Sequence, residues 1–569
     1  MQPDSKVGVR VGDGVAGRWP GLPAVRRNRT RAARWDGLRK LCQFPRPVSS
    51  VPAVILGLSL LVPGGNLQAA PFNVRDFGAR ADRTTNDAPA IQAAIDACSR
   101  AGGGEVVIPA GDYLSGKLVL KSRVTLKLEA GATLWASARP EDYDPTPGQK
   151  GEWYLLVADG QEDIALTGEG RLQGVGKADL DRRADPEGEP LPPHRFGIAF
   201  FSNCRLVHIR DVRILDSDWH TLVLFRCEQV FVQRVAILNN FYRTNSDGID
   251  PVSCKDVIIS DCTIIAGDDC ICPKTERGYP LNNLVIENCI LESVAAAIKL
   301  GTASSGDFRD IRVANCVIRN SGVGLGLFMK DGGTAERISF SNISIETTSQ
   351  ATPINSRLRN NIIPIYIDLE QREPTSPIGA VRDVVFSHIQ IASDNGILIQ
   401  GMPERPLENI ALEDISFRVT QGFDFSQRKK RGGGRSNPND SRITRFIRQP
   451  TYISLAHLNG LVLDDVRVLI DGAVFDRFDR SAVAVFESQN VTIRGVQRST
   501  AGTKGGQPVL TLDNCAQVFV TGCCARPGTP AFLGLSGART TGIHLAGNDL
   551  TAATQPVVRA KEVAAEALR

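Results

Sequence analysis

The sequence predicts an all-β chain, a single-stranded right-handed parallel β-helix (a solenoid) with a short helix capping its N-terminal end. Three observations carry this expectation. First, a nine-residue unit recurs: DVIISDCTI ends at Ile264, NLVIENCIL at Leu291, DIRVANCVI at Ile318 and RISFSNISI at Ile345, each 27 residues after the last. Further copies end at Ile214, Ile237, Ile391, Phe417 and Val468, with gaps of 23 to 51 residues. Self-similarity at such a period marks a solenoid or an array. Second, the unit alternates apolar and polar residues and is rich in Val and Ile, which makes it a strand. Third, no helical run separates the strands, so neighbouring units stack as coils.

The elements follow in chain order. Residues 1–70 read as an N-terminal extension with a signal peptide. Val51 to Val62 is an apolar stretch interrupted by Pro52 and Gly57, too short to span a bilayer, preceded by Arg39, Lys40 and Arg46. Leu67-Gln68-Ala69 offers a small residue for cleavage, and Arg26-Arg27 lies far from the apolar run. A secreted or periplasmic location without membrane attachment after cleavage is expected, an uncleaved signal anchor being the alternative. Ile91, Ala94, Ile95 and Cys98 share one helical face, with Asn86 or Thr85 as N-cap and Gly102 as the stop. This helix suits the open hydrophobic end of a solenoid. The catalytic solenoid is expected over 71–550. The 46 residues from Ile345 to Ile391 and the 51 from Phe417 to Val468 each exceed one coil and hold insertions. The second contains a basic stretch at 426–448, from Arg428 to Arg448, a solvated loop or a flap over an acidic polymer. The tail 551–569 reads as a short helix.

Composition excludes some classes. Of the 569 residues, 22% are charged and 42% hydrophobic, ordinary for a folded soluble chain. Of the net charge of +4, +8 belongs to residues 1–69, so the remainder carries −4 and has no nucleic-acid footprint. A monomer is expected. Cys262, Cys289 and Cys316 follow the 27-residue period and should stack as buried thiols. With six histidines and no zinc-ligand spacing at Cys270/Cys272 or Cys523/Cys524, neither a metal nor a cofactor is expected.

The acidic residues carry the chemistry. Equivalent positions on stacked coils lie about 4.8 Å apart. Aligning TNSDGIDPVSC, AGDDCICPKT and AAAIKLGT puts Asp247 level with Asp269, Asp268 one residue earlier, and Asp250, Cys272 and Lys299 in one row. Like charges so close raise one another's pKa. A lone Asp reads as a coil-corner cap, but three on neighbouring coils suit an enzyme needing one protonated and one ionised carboxyl.

These residues also resemble a known family. FNVRDFGARADRTTNDAPAIQAAIDAC is similar to the opening of pectin-active β-helix enzymes, and NSDGID followed by GDD resembles the two acidic signatures of glycoside hydrolase family 28, the polygalacturonases and their relatives. The resemblance spans Phe72 to about Asn548. It implies an inverting hydrolase of a pectic polysaccharide, with Asp268 as general acid and Asp247 and Asp269 activating water. Asn245, Asp250 and Lys330 are candidate substrate-binding residues, and Lys299, one coil before Lys330, reads either as a substrate-binding group that restores positive charge there or as an exposed strand lysine.

Two departures concern specificity. The family's histidine motif falls on Ala295-Ala296-Ala297, and its arginine-lysine motif on Phe328-Met329-Lys330, which keeps only the lysine. Losing the arginine removes a charge-assisted contact, so a pectin other than plain homogalacturonan, such as rhamnogalacturonan, is expected. Trp153-Tyr154 and Trp219-His220 are candidates for sugar stacking or for core packing. A Ca²⁺-dependent polysaccharide lyase and a non-catalytic carbohydrate-binding β-helix stay open as rivals.

Overall fold

A computed structural model describes residues 70–143, 152–176, 195–241, 243–348, 362–421, 451–470, 474, 479–499 and 506–569. The signal segment and the basic stretch at 426–448 lie outside the described residues.

The repeat becomes register. Ile214 pairs with Ile237, Ile237 with Ile264, Ile264 with Leu291, Leu291 with Ile318, and Ile318 with Ile345, all in parallel. The same line continues through Ile391, Phe417 and Val468. These side chains point inward and are at most 4% exposed. The chain is a parallel β-helix, and among the described residues of the two long gaps Ile363–Leu369 and Thr451–Ala456 are the strands on another side of the coil.

Local chemistry explains the corners. Asp261, Asn288, Asn315 and Asn342 adopt φ of 54–56° one coil apart, the left-handed region that Asp and Asn tolerate best after glycine. The amide of Asn288 donates to Asp261 (3.2 Å) and that of Asn342 to Asn315 (3.4 Å). The following residues Cys262, Cys289 and Cys316 stack inside, each 1% exposed and unbridged. A second thiol column, Cys204, Cys227 and Cys254, lies one corner away, also buried and unbridged. Its spacings of 23 and 27 residues match those from Ile214 to Ile237 to Ile264.

Two expectations need correction at the ends. The helix spans Ala88–Arg100 and buries Ile91, Ala94, Ile95 and Cys98 against the first coils, but its N-cap is Asp87. The Asp87 carboxylate is taken by the N–H groups of Arg80 and Ala81 (2.7 and 3.0 Å), so Asn86, one residue before the cap, accepts from the Ala88 N–H instead (3.0 Å). The tail is not a helix. Ala553–Arg559 adds a last parallel strand beside Thr529–Ser536, and only Ala565–Ala567 forms a 3₁₀ turn. Covering the sheet end satisfies backbone groups that an exposed helix would leave unpaired. Among the described residues no helix is long and apolar enough to cross a membrane.

One side of the coil stack is built from two sheets, a five-stranded one ending at Ile249–Val252 and a nine-stranded one beginning at Ala296–Thr302. Between them lies a single coil that on this side makes only isolated bridges: Ile249 with Ile271, Val252 with Lys274, Ile271 with Ile298 and Thr275 with Ser304. That seam carries GDD.

Candidate active site

Two glycines bring the acidic motifs together. A Cβ at Gly248 would meet the Cys270 carbonyl oxygen at 2.4 Å and the Ile264 Cγ2 at 2.7 Å. A Cβ at Gly267 would meet the Arg243 carbonyl oxygen at 2.2 Å. Only glycine permits both approaches, which explains the residue after Asp247 and the one before Asp268. Gly248→Ala is expected to lower stability by about 1–3 kcal/mol through overpacking and to lower kcat by shifting Asp247. Thermal melts and kinetics check this; wild-type values for both would show that the coil gives way freely.

The bridges at Ile249, Ile271 and Ile298 place Asp247 level with Asp269 and set Asp250, Cys272 and Lys299 in one row, as aligned from sequence. Carboxylate oxygens of Asp247 and Asp269 and the Cys272 Sγ lie within 4.8 Å of one another. The same holds for Asp247, Asp250 and a ring nitrogen of His220. Asp247, Asp250 and Asp269 are at most 4% exposed, whereas Asp268 is half-buried. Asn245, in the left-handed region at φ 59°, donates its backbone N–H to Asp268 Oδ2 at 3.1 Å.

Two lysines hold these acids. Lys274 Nζ donates to Asp247 Oδ2 at 3.0 Å and lies 2.7 Å from Asp250 Oδ2. Lys299 Nζ donates to Asp269 Oδ2 at 2.6 Å. His220 Nδ1 stands 3.5 Å from Asp250 Oδ2, and burial pushes its pKa down to about 4. Lys274 was not foreseen, although it follows Cys272 by two residues and so shares the row's face.

The carboxyls are driven apart in acidity. Burial, then the charges of Asp247 and Asp269, push Asp268 up to about 8. Burial would raise Asp247 too, but Lys274, followed by His220 and Lys299, outweighs it and holds Asp247 at about 2. Burial also drives Asp250 well above the usual carboxylate range, against the pull of Lys274. At neutral pH Asp268 therefore carries a proton while Asp247 is ionised. Asp247 Oδ1 and Asp269 Oδ1 are buried with no protein hydrogen-bond partner, so each has an acceptor to offer.

A sequence profile described as Glycosyl hydrolases family 28 matches residues 98–430, more than half of the chain. The chain belongs to glycosyl hydrolase family 28. It is thus a glycoside hydrolase acting on O-glycosyl bonds. A probable polygalacturonase of Vitis vinifera is 26% identical over 371 residues, covering 60% of this chain and 73% of that protein. The exo-poly-alpha-D-galacturonosidase of Dickeya chrysanthemi is 25% identical, covering 50% and 56%. Among solved structures, the hyperthermoactive exopolygalacturonase of Thermotoga maritima is similar at TM-score 0.53 and 23% identity, covering 62% of this chain and 88% of that one. The family 28 exopolygalacturonase of Yersinia enterocolitica gives 0.51 and 19%, covering 79% and 78%. At these identities the structural likeness speaks for the fold.

The remaining predicted residues of this family 28 hydrolase are placed as follows. Lys299 pairs in register with Gly326, so Lys330 sits four residues further along the next coil. It is bonded to Asp368 (2.9 Å) and to Glu370. Ala296, where the family motif carries histidine, is 2% exposed and packs with Val323 and Ile363. Both tryptophans pack inside: Trp153 against Phe196, and Trp219 between His220 (4.4 Å) and the Arg195 guanidinium (3.9 Å). The two carboxylate groupings are close enough for a cation, yet two ammonium groups already supply positive charge there.

Proposed function

We propose that this chain is an exported, inverting hydrolase of a pectic polysaccharide, with Asp268 as general acid and Asp247 with Asp269 as the water-activating pair. The observation that carries this reading is the separation in acidity between Asp268 and Asp247 on adjacent coils. Asp268 gives its proton to the glycosidic oxygen as the bond to the anomeric carbon breaks. Water held by the unpaired oxygens of Asp247 and Asp269 attacks from the opposite face, and its proton passes to Asp247. Single displacement of this kind needs one acid and one base on opposite sides of the bond. The family's polygalacturonase members support a pectic substrate. Residues 71–550 form the catalytic domain in this reading, residues 1–70 serve export, and the enzyme works as a monomer without cofactor.

A Ca²⁺-dependent lyase is disfavoured by Lys274 and Lys299, which a divalent ion at these carboxylates would have to displace against the pairing already made. The experiment is proton NMR of the first product released from pectic polymers. The inverted anomer is expected. A retained anomer would require a covalent intermediate, and unsaturated products absorbing in the ultraviolet would mean elimination; either ends this reading.

A further inference from the structure

Among the described residues two aromatic rings stand well out into solvent, Phe519 at 53% exposed and Tyr279 at 47%. Phe519 stacks on His544 near the C-terminal end of the solenoid. Tyr279 lies on the segment that serves the acids, five residues after the lysine that joins Asp247 to Asp250. A ring left in water forgoes the burial by which aromatic side chains stabilise a fold, so its place needs a reason.

The turn that bears it is held firmly. The Glu276 N–H donates to Ser253 Oγ (2.9 Å), Ser253 Oγ donates to the Tyr279 carbonyl oxygen (2.8 Å), and the Tyr279 N–H donates to the Glu276 carbonyl oxygen (2.9 Å). The side chain is held as well. The Arg226 guanidinium lies 3.5 Å from the Tyr279 ring centroid and 4.9 Å from that of Phe225. Glu276 Oε2 fixes this cation by accepting from its Nη2 (2.7 Å) and Nε (3.2 Å). The cation covers one face of the ring and leaves the opposite face for a ligand. Around that ring, Arg226 Nη1, Glu276 Oε1 and the Tyr279 hydroxyl have no protein hydrogen-bond partner among the described residues.

Register ties this platform to the acids. Phe225 pairs with Val252, and Val252 bridges to Lys274, so the three form one row across neighbouring coils. Two coil steps, about 10 Å, separate Phe225 from Lys274. The platform therefore flanks the acids on the side of the N-terminal coils, where a chain of sugars reaches and the ring being cleaved does not. A flat ring rimmed by a donor, an acceptor and a hydroxyl suits a pyranose, whose C–H face packs on the aromatic while its hydroxyls bond at the rim. Rigid presentation lowers the entropy lost on binding.

We infer that Tyr279 and Arg226 form a second sugar-binding point, which takes a ring of the same polymer beyond those at the cleaved bond. The inference rests on the proposed hydrolysis of a pectic polysaccharide and adds to it a dependence on chain length.

Kinetics on polygalacturonate and rhamnogalacturonan oligosaccharides of increasing length test this. Wild-type KM should fall once the chain is long enough to reach Tyr279. Tyr279→Ala should raise KM about 10-fold on those long chains, the scale of a well-packed tyrosine contact. Its kcat, and its kcat/KM on the shortest chain cleaved, should match the wild type. Tyr279→Phe keeps the ring and should lie near the wild type, whereas Arg226→Gln, on a separate coil, should repeat the loss on long chains. An equal loss at every length would mean that the exchange disturbs the acids, and no loss at any length that the ring is idle; either overturns the inference. Calorimetric binding of the long oligosaccharides to Asp268→Asn, with and without Tyr279→Ala, separates binding from hydrolysis. Tyrosine-dependent binding without wild-type turnover would sink the proposed function and leave the second sugar-binding point standing. Turnover blind to Tyr279 would sink this inference alone, and neither binding nor turnover would sink both.

Discussion

Asp268→Asn is expected to leave the fold intact and to lower kcat by about 10²–10⁴-fold, the usual worth of general acid assistance. An amide is close to isosteric with the carboxyl and can still accept from the Asn245 N–H, but it has no proton to give the departing oxygen. The wild-type pH profile should report the same group. Asp268 is protonated below about 8 and Asp247 ionised above about 2, so kcat/KM should fall as pH rises through about 8. In Asp268→Asn the residual activity should lose that basic limb. Undiminished turnover, or a basic limb that survives the substitution, would assign the acid elsewhere.

Lys274→Met is expected to damage both stability and rate. The side chain is 19% exposed and its ammonium links Asp247 to Asp250, themselves nearly sealed from solvent. Removing one partner of a buried pair costs about 3–5 kcal/mol, because the remaining charge keeps its desolvation penalty. The folded chain can relieve this by protonating Asp247, and a protonated Asp247 cannot activate water. Calorimetry should therefore show a lower Tm, and the acidic limb of kcat/KM should move to higher pH. A merely structural lysine would lower the Tm and leave that limb where it was.

How much of this was legible beforehand depends on spacing. Strand register was readable because one apolar line runs through Ile264, Leu291, Ile318 and Ile345 at a constant step, and a stack can honour that step in only one alignment. The row of Asp250, Cys272 and Lys299 followed from it. The grip of Asp368 and Glu370 on Lys330 did not, since those acids arrive 38 and 40 residues later, after a gap longer than one coil. The final strand was missed because Ala553–Arg559 lacks the buried alternation of the repeat, five of its seven residues being exposed. The thiols at 204, 227 and 254 were legible in principle, since their steps repeat those of the neighbouring isoleucines, but attention to the 27-residue period alone passes over a 23-residue step.

Those two thiol columns tie the fold to time. Neighbouring members stand one coil apart, within the separation a disulfide can bridge, and in the finished molecule all six are shut away from solvent. Before the coils close, the same six groups are open to any oxidant and to one another, and a link between the wrong pair would hold two coils out of step. The vulnerability of these six thiols is confined to the interval between synthesis and closure. Whether it meets an oxidising compartment as an open strand or as a finished solenoid decides how much of it survives.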